Sequence, residues 1–426
     1  MKKLFAVVAV ALLCGTAFAQ ENKEAEKKDS GYVFTVVKEN PITSIKDQNR
    51  AGTCWAYSGL AFLESELLRQ GKGEFNLSEM YVAYKTYLDR AMKAYRTGGE
   101  TSFSQGGAFS DVLWCLKYYG MVPEEEMRPG VMYGDTLSNH GELSTITNAM
   151  VKAASKDIKK PQVDKDGTML WYKAVDQVHQ VYLGPNPTEF TFKGKKYTPK
   201  SFADEVLGLN ADDYVSITSY THHDFYTKFV LEISDNWRWS ETYNVPIDEM
   251  MEIMDYAIDN GYTIAWGSDV SEDGFRQGVR KGFCVLPDLD NKGKDNGGSD
   301  MAHWTGLSRE ERSKEAYEHP TPQRWVSQEE RQAGYDLKET TDDHGMQIYG
   351  RATDQMGNEY YMVKNSWGEV YEYKGMFYAS KAFVRYKTMN YVLHKDAIPA
   401  EIAKKLGIVQ SNANDMSTKK GGKRKK

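Results

Sequence analysis

Cysteine is scarce in this sequence. The 426-residue chain has four cysteines, and the three that follow the N-terminal segment are Cys54, Cys115 and Cys284. So few cysteines exclude a small scaffold stapled by disulfides. No group of cysteines and histidines has the spacing of a zinc site, so we expect neither a metal nor another cofactor. The apolar surroundings of Cys115 and Cys284 predict two buried, unreactive thiols, while a bridge between them stays open.

Long hydrophobic runs are also missing, apart from one at the start of the chain. Residues 1–19 combine two lysines, an apolar run from Leu4 to Leu13 and an Ala-x-Ala step that ends at Ala19. This pattern predicts a signal peptide, with lipid anchoring less favoured. We therefore expect export to the periplasm or the cell exterior, without stable membrane insertion. Residues 20–30 are predicted to be a charged, disordered lead.

Positive charge is in deficit over most of the chain. The formal net charge is −6 at pH 7, although the stretch from Lys419 to Lys426 is strongly basic. The residues before this stretch are therefore more acidic than the total indicates. Because nucleic acids are polyanions, an acidic body makes a nucleic-acid partner unfavourable. Residues 409–426 are predicted to form a polar and then basic C-terminal tail.

The most informative stretch that is present begins at Gln48. Leucines recur at helical spacing from Leu60 to Leu67 and Gly71 supplies a stop, so we predict a helix with Cys54 in or beside its first turn. The free N–H groups and the dipole at a helix start favour a thiolate. The Gln48 side chain can fold back beside the sulfur. Its amide and the Cys54 backbone N–H would then make a two-donor oxyanion hole.

A thiol nucleophile needs a base, and one of the eight histidines stands out. His344 opens a predicted strand, a turn follows at residues 353–358, and a second predicted strand ends at Asn365. Pairing across this hairpin places His344 beside Asn365, whose amide oxygen can hold the imidazole in one tautomer. Cysteine, histidine and an orienting amide are the parts of an activated thiol nucleophile. The remaining histidines are interpreted as surface residues: His140, His179, His222, His223, His303, His319 and His394.

These motifs resemble those of the papain superfamily of cysteine peptidases. The matching steps are residues 48–55 (Gln-Asn-Arg-Ala-Gly-Thr-Cys-Trp), 343–345 (Asp-His-Gly) and 365–368 (Asn-Ser-Trp-Gly). Further stretches are most similar to the bleomycin hydrolase and aminopeptidase C branch, and the resemblance covers about residues 31–408. It implies an α+β, papain-like two-subdomain fold, in which a helical subdomain carries the cysteine and an antiparallel β subdomain carries the histidine and asparagine. The branch has a large insertion, expected here at about residues 140–245.

The resemblance also implies roles for the predicted site residues. Cys54 is the expected nucleophile, His344 the general base and acid, and Asn365 the residue that orients His344. Gln48 is the expected oxyanion donor, and Trp367 is expected to shield the contact between His344 and Asn365 from water. Gly106 and Gly107 are expected to contact substrate, and the alternative is that they form a simple turn before the next helix. The residues expected to contact substrate are Gly106, Gly107, Trp55 and Trp367.

The predicted function is an exported cysteine peptidase that forms an acyl-enzyme on Cys54, with aminopeptidase action favoured. In the family, the C-terminus fills the cleft beyond one substrate residue. Here the chain is polar from Ser411 and then basic, so either the cleft-filling segment ends near residues 408–414 or the cleft is open. The alternatives are an endopeptidase, a related amide or thioester chemistry, and a catalytically idle papain-like binding protein. The expected partners are peptide substrates, and the resemblance also implies a homo-hexamer.

Within the expected insertion, one part has a charged sequence interrupted by prolines. Residues 140–205 carry many lysines and aspartates, with proline at positions 161, 185 and 187. We interpret them as helical excursions and loops that lie outside the core.

Overall fold

The computed structural model describes residues 31–290 and 299–411. The predicted signal peptide, the charged lead and the tail from residue 412 onward lie outside the described residues. In the described part of the chain, no helix has both the length and the apolar character needed to cross a bilayer.

Most of the helices lie in the first two thirds of the chain, and the long ones are amphipathic. The helix predicted to start near Cys54 is confirmed as α1. The helices are α1 (Cys54–Arg69), α2 (Glu79–Arg96), α3 (Phe109–Trp114), α4 (Gly141–Lys156), α5 (Leu170–Leu183), α6 (Pro199–Ser201), α7 (Ile247–Asp259), α8 (Asp273–Gly278), α9 (Ser299–Gly306), α10 (Arg309–Glu315), α11 (Gln328–Asp336), α12 (Lys381–Lys387) and α13 (Ala400–Lys405).

The strands form one large sheet and a separate hairpin. The sheet has ten strands in the order β5-β6-β4-β12-β7-β9-β10-β11-β8, with β1 paired to β9 outside this path, and β2 pairs with β3. Neighbouring strands are antiparallel except for β4 with β6 and β11 with β8. The predicted α+β class is therefore confirmed. The strands are β1 (Thr35–Glu39), β2 (Phe190–Phe192), β3 (Lys195–Tyr197), β4 (Tyr214–Thr218), β5 (Lys228–Val230), β6 (Glu241–Asn244), β7 (Ile264–Ser268), β8 (Phe283–Cys284), β9 (His344–Thr353), β10 (Glu359–Lys364), β11 (Met376–Ser380) and β12 (Thr388–His394).

The core consists of two main hydrophobic clusters, one among the N-terminal helices and one between α7 and the sheet. Val151, Val175 and Phe202 are fully buried in the helical cluster. The prediction that residues 140–205 lie outside the core is therefore wrong. The physical reason is that α4 and α5 are amphipathic, so their many charges occupy one face while an apolar stripe packs against α2.

Three histidines that were interpreted as surface residues are buried. His140 and His179 have no exposed surface, and His394 is 8% exposed. The hydroxyl of Tyr87 lies 3.2 Å from Nδ1 of His140, and its ring centroid lies 5.7 Å from that of His179. Burial lowers the pKa of both His140 and His179 to about 4, so these rings pack as neutral aromatic groups.

Among the described residues, the two cysteines outside the predicted site are buried, as expected. Cys115 is 1% exposed and Cys284 has no exposed surface. Both thiols are free, so the bridge between them that the sequence left open does not form. Burial raises the pKa of each thiol above its ordinary value, which leaves both unreactive.

A close approach between α1 and the sheet forms the framework of the site. Helix α1 packs against β9, and Gly345 is the second residue of that strand. A Cβ atom at Gly345 would lie 2.8 Å from Oγ of Ser58 and 3.3 Å from the ring of Phe109. Only glycine lets the two backbones come this close, and the cysteine at the start of α1 is thereby brought to the start of β9.

Candidate active site

Cys54 is the first residue of α1. It follows Thr53, which provides no side-chain cap, so the first N–H groups of the helix stay available to other acceptors. The backbone N–H groups of Gly345 and Trp55 donate toward the sulfur. The indole Nε1 of Trp55 donates to the carbonyl of Gln105 at 3.0 Å, which attaches the start of α1 to the segment before α3.

His344 and Asn365 lie on adjacent strands, as the hairpin predicted. Strand β9 begins at His344 and pairs antiparallel with β10, which ends one residue before Asn365. Nε2 of His344 donates to Oδ1 of Asn365 at 2.8 Å, and the same oxygen accepts from the backbone N–H of Ser366 at 2.8 Å. Because Nε2 is engaged, Nδ1 is the ring nitrogen left to exchange protons with a thiol.

Trp367 covers this contact from one side. Its ring stacks on His344 with centroids 5.0 Å apart and an interplanar angle of 28°. His344 is 6% exposed and Asn365 is 5% exposed. The hydrogen bond between them therefore lies in a largely water-free environment, as expected for the predicted shielding role of Trp367.

Gln48 is held next to the residue that follows Asn365. Its backbone N–H donates to the carbonyl of Ser366 at 2.8 Å, and its Oε1 accepts from the hydroxyl of Ser366 at 2.6 Å. Its Nε2 donates to the carbonyl of Ala51 at 2.9 Å. An amide nitrogen carries two protons, so one N–H of Gln48 remains for an oxyanion. The fold thus fixes the orientation of this side chain before any substrate arrives.

Burial shifts the acidity of the thiol and the imidazole toward their neutral forms. It raises the pKa of Cys54 to about 11, partly offset by the N–H donors of Gly345 and Trp55. It lowers the pKa of His344 to about 4, although the bond to Asn365 favours the imidazolium. Burial therefore opposes the effect of the helix start, which was expected to favour a thiolate. A thiolate can persist here only beside an imidazolium, because the two charges then stabilise each other.

One pocket contains both Cys54 and His344. Of the predicted substrate contacts, Gly107 and Trp55 also line this pocket, although Trp55 is only 2% exposed and mainly contacts the protein. Gly106 is covered instead, because a Cβ atom there would collide with the carboxylate of Asp235. The segment after β5 therefore occupies the position next to the paired glycines.

Two carboxylates in this pocket were missed by the sequence analysis. Asp235 and Asp342 both line it, and both raise the pKa of Cys54. Asp342 lies two residues before His344, so its place in the chain was a signal that could have been used. Asp235 lies in the expected insertion, about 110 residues from the histidine, and no local pattern marks it.

The described part of the C-terminal segment does not line the pocket. Nε2 of Gln410 donates to the carbonyls of Lys395 at 3.1 Å and Ile398 at 2.7 Å, and the backbone N–H of Ser411 donates to Asp396 at 2.7 Å. Residues 408–411 are thus attached beside the end of β12. Of the stretch expected to reach the cleft, residues 412–414 lie outside the described residues.

A second cluster of polar side chains lies on the surface. His222 and His223 each contact the carboxylate of Glu232, with Nε2 to oxygen distances of 3.1 and 3.3 Å. All three are exposed, and their ligand atoms are close enough to meet on one cation. The two histidines were interpreted as surface residues, which their exposure confirms. Glu232 was missed because β5 separates it from them in the chain.

The fold and the site together define a class of protein. A cysteine at the start of a helix, a histidine and an asparagine on paired strands, and a glutamine beside them form the arrangement of a papain-like cysteine peptidase. The catalytic roles of Cys54, His344, Asn365 and Gln48 stay predictions, which this geometry supports.

The chain belongs to the Peptidase C1-like family. The family match covers residues 2–282 and 312–413. The chain is similar to Aminopeptidase C of Streptococcus thermophilus, with 22% identity over 89% of this chain and 86% of the relative. It is also similar to Aminopeptidase G of Lactobacillus delbrueckii subsp. lactis, with 24% identity over 84% of this chain and 82% of the relative.

A solved structure has the same fold. The crystal structure of PepW from Lactobacillus rhamnosis superposes with a TM-score of 0.64 and 20% identity, over 95% of this chain and 93% of that protein. The papain-like architecture inferred from the motifs is therefore confirmed over nearly the whole chain.

Proposed function

We propose that this protein is a cysteine aminopeptidase that removes residues from the N-terminus of peptides through an acyl-enzyme on Cys54. The observation that carries the proposal is the 2.8 Å bond between His344 and Asn365 at the pocket that holds Cys54. The relatives named above as aminopeptidases C and G support the same activity.

In the proposed reaction, Nδ1 of His344 takes the thiol proton and the sulfur of Cys54 attacks the carbonyl carbon of the first peptide bond. The developing oxyanion accepts hydrogen bonds from the free N–H of Gln48 and the backbone N–H of Cys54. The imidazolium then gives its proton to the leaving amine, so that the C–N bond breaks and a thioester remains. Water, deprotonated by His344, hydrolyses the thioester and restores the thiol.

The preference for an N-terminal residue is supported by the shape of the pocket. An endopeptidase needs room for several residues on the acyl side of the scissile bond, along the paired glycines. At Gly106 this room is taken by Asp235. A substrate whose first residue supplies the attacked carbonyl needs no space beyond that position.

The proposal is tested with purified protein under reducing conditions and alanine 7-amido-4-methylcoumarin as substrate. We expect turnover by the wild type and none by Cys54→Ala, since no other described cysteine is accessible. A thiol-directed epoxide should label the wild type at Cys54 and leave the variant unlabelled. Absence of both labelling and turnover in the wild type would favour a catalytically idle protein, and turnover by Cys54→Ala would reject the assignment.

We also propose that the protein is exported and assembles into a homo-hexamer. The lysines and apolar run of residues 1–19 support export, and the family resemblance suggests the hexamer. N-terminal sequencing of protein recovered from outside the cytoplasm should begin at Gln20, and light scattering should give a mass near six chains. An intact N-terminus in the cytoplasm would reject export, and a monomer mass would reject the hexamer.

A further inference from the structure

The segment after β5 is fixed over the pocket by buried polar contacts. Nε1 of Trp237 donates to Asp111 at 3.1 Å, and Nε of Arg238 donates to the other oxygen of Asp111 at 2.5 Å. Nη2 of Arg238 also donates to Asp89 at 2.7 Å. Because Asp111 is 1% exposed, this attachment is largely removed from water. Residues 231–238 therefore form a fixed wall at one end of the pocket.

Asp235 projects from this wall onto the glycine segment. Its Oδ1 lies 3.5 Å from Nη1 of Arg90, and the Arg90 side chain is 1% exposed. The same guanidinium donates to the carbonyl of Gly106 at 2.6 Å and to the carbonyl of Ser102 at 2.7 Å. Arg90 thus positions both the carboxylate and the glycine segment against which it lies. Asp235 remains 27% exposed, so it can still accept a hydrogen bond from a ligand.

Asp342 precedes β9 by two residues and lines the pocket of Cys54 and His344. Within the described residues it has no hydrogen-bonding or cationic partner. Burial raises its pKa to about 7, and the nearby carboxylates of Asp235 and Asp343 contribute to the increase. Asp343 lies on the outer side, where Thr341 and the backbone N–H of Val270 donate to it. Three carboxylates, those of Asp235, Asp342 and Asp343, therefore line the pocket. Of these, Asp235 is paired with the guanidinium of Arg90, so negative charge is in excess and an added cation would be favoured.

We propose that Asp235 and Asp342 form the binding site for the α-ammonium group of the substrate's first residue. The inference rests on the proposed function, because that activity places the first residue of a peptide beside Cys54. Both carboxylates line the pocket of Cys54 and His344, and Ile233 of the wall of residues 231–238 lines it as well. An ammonium group there would supply the missing positive charge and donate to both carboxylates.

The described residues of the C-terminal segment do not contribute to this pocket. Residues 408–411 are attached beside the end of β12 and do not line the pocket. The wall and its carboxylate come from the segment between β5 and β6. The same two carboxylates could also accept a lysine side chain located one residue before the scissile residue, and the experiment separates these two sources of an ammonium group.

The test compares the full-length wild type with Asp342→Asn and Asp235→Asn on three coumarin amides. These are alanine amide with a free amino group, acetyl-alanine amide, and acetyl-lysyl-alanine amide. For the free substrate we expect each variant to raise KM at least tenfold, since a charge-assisted hydrogen bond is lost, while kcat changes less. Asp342→Glu should restore part of the affinity. Asp224→Asn, at an exposed position outside the pocket, is the matched control and should match the wild type.

The possible results distinguish a failure of the proposed ammonium site from a failure of the proposed function. An unchanged KM in both variants, with the free substrate still cleaved, would overturn the ammonium site and leave the aminopeptidase standing. Efficient cleavage of acetyl-lysyl-alanine amide, lost in Asp342→Asn, would assign the carboxylates to a lysine side chain and reject the inference. Cleavage of acetyl-alanine amide as fast as the free substrate would reject aminopeptidase action itself. Iodoacetamide labelling of Cys54 in every variant verifies that the nucleophile remains intact.

Discussion

Replacing His344 with alanine separates two effects on the ionisation of Cys54. Burial favours the neutral thiol, whereas a neighbouring imidazolium favours the thiolate. Burial, with smaller opposing effects of neighbouring carboxylates and N–H donors, gives Cys54 a pKa of about 11, so without the imidazole only about 10⁻⁶ of the thiol is ionised at pH 5. A thiolate paired with imidazolium, with a pKa of about 3–4 as in papain, is almost fully ionised there. Once ionised, the thiolate with the higher pKa is the better nucleophile, and a difference of some seven pKa units makes it react about 10³-fold faster. We therefore expect alkylation of His344→Ala at pH 5 to be about 10³-fold slower than that of the wild type.

The assay is the rate of iodoacetamide alkylation between pH 5 and 9, followed by mass spectrometry. Cys115 and Cys284 are 1% and 0% exposed, so the label reports on Cys54. The wild-type rate should stay nearly constant, whereas the rate of the variant should rise about tenfold per pH unit. His222→Ala, at an exposed histidine outside the pocket, is the control. A variant with wild-type rates and a flat profile would refute the argument that burial keeps the unpaired thiol neutral.

The remaining predictions concern the partners of the site. Asn365→Ala should keep residual activity with an altered pH profile, because the base survives without its fixed tautomer; an unchanged profile in a pH–rate series would contradict this. Arg238→Met leaves Asp111 buried without its cation, so urea unfolding should show a loss of about 3–5 kcal/mol. In the double variant with Asp111→Asn, much of the lost free energy of unfolding should be recovered. Strictly additive losses from the two substitutions would show that the two side chains are not coupled. Gly345→Ala forces a Cβ to within 2.8 Å of Ser58 and should cost about 1–3 kcal/mol, measured in the same way; wild-type stability would contradict the close packing.

The sequence predicted most of the candidate site because its parts are local. The start of α1 and the hairpin of β9 and β10 follow from helical spacing and from one turn, and these two elements carry Cys54, His344 and Asn365. The neighbours of these residues depend on contacts across the fold. Asp235 reaches the pocket only because Arg238 attaches its segment to Asp111, a contact that no pattern along the chain reveals.

The errors of the sequence analysis have a common physical cause. Residues 140–205 were placed outside the core on the basis of average charge, whereas burial follows the face of each helix, as α4 and α5 show. His140 and His179 were placed at the surface for the same reason. For Cys54, the effects of the helix start and of a base were predicted, whereas the burial that opposes ionisation was not, because it depends on β9 packing against α1.

The most direct test of the account follows one peptide in two forms over time by mass spectrometry, with a free N-terminus and with an acetylated one. We predict stepwise loss of single residues from the free peptide, no cleavage of the acetylated peptide, and no cleavage of either by Cys54→Ala. Internal cleavage of both forms by the wild type would contradict it, and would show that residues 231–238 do not close the cleft.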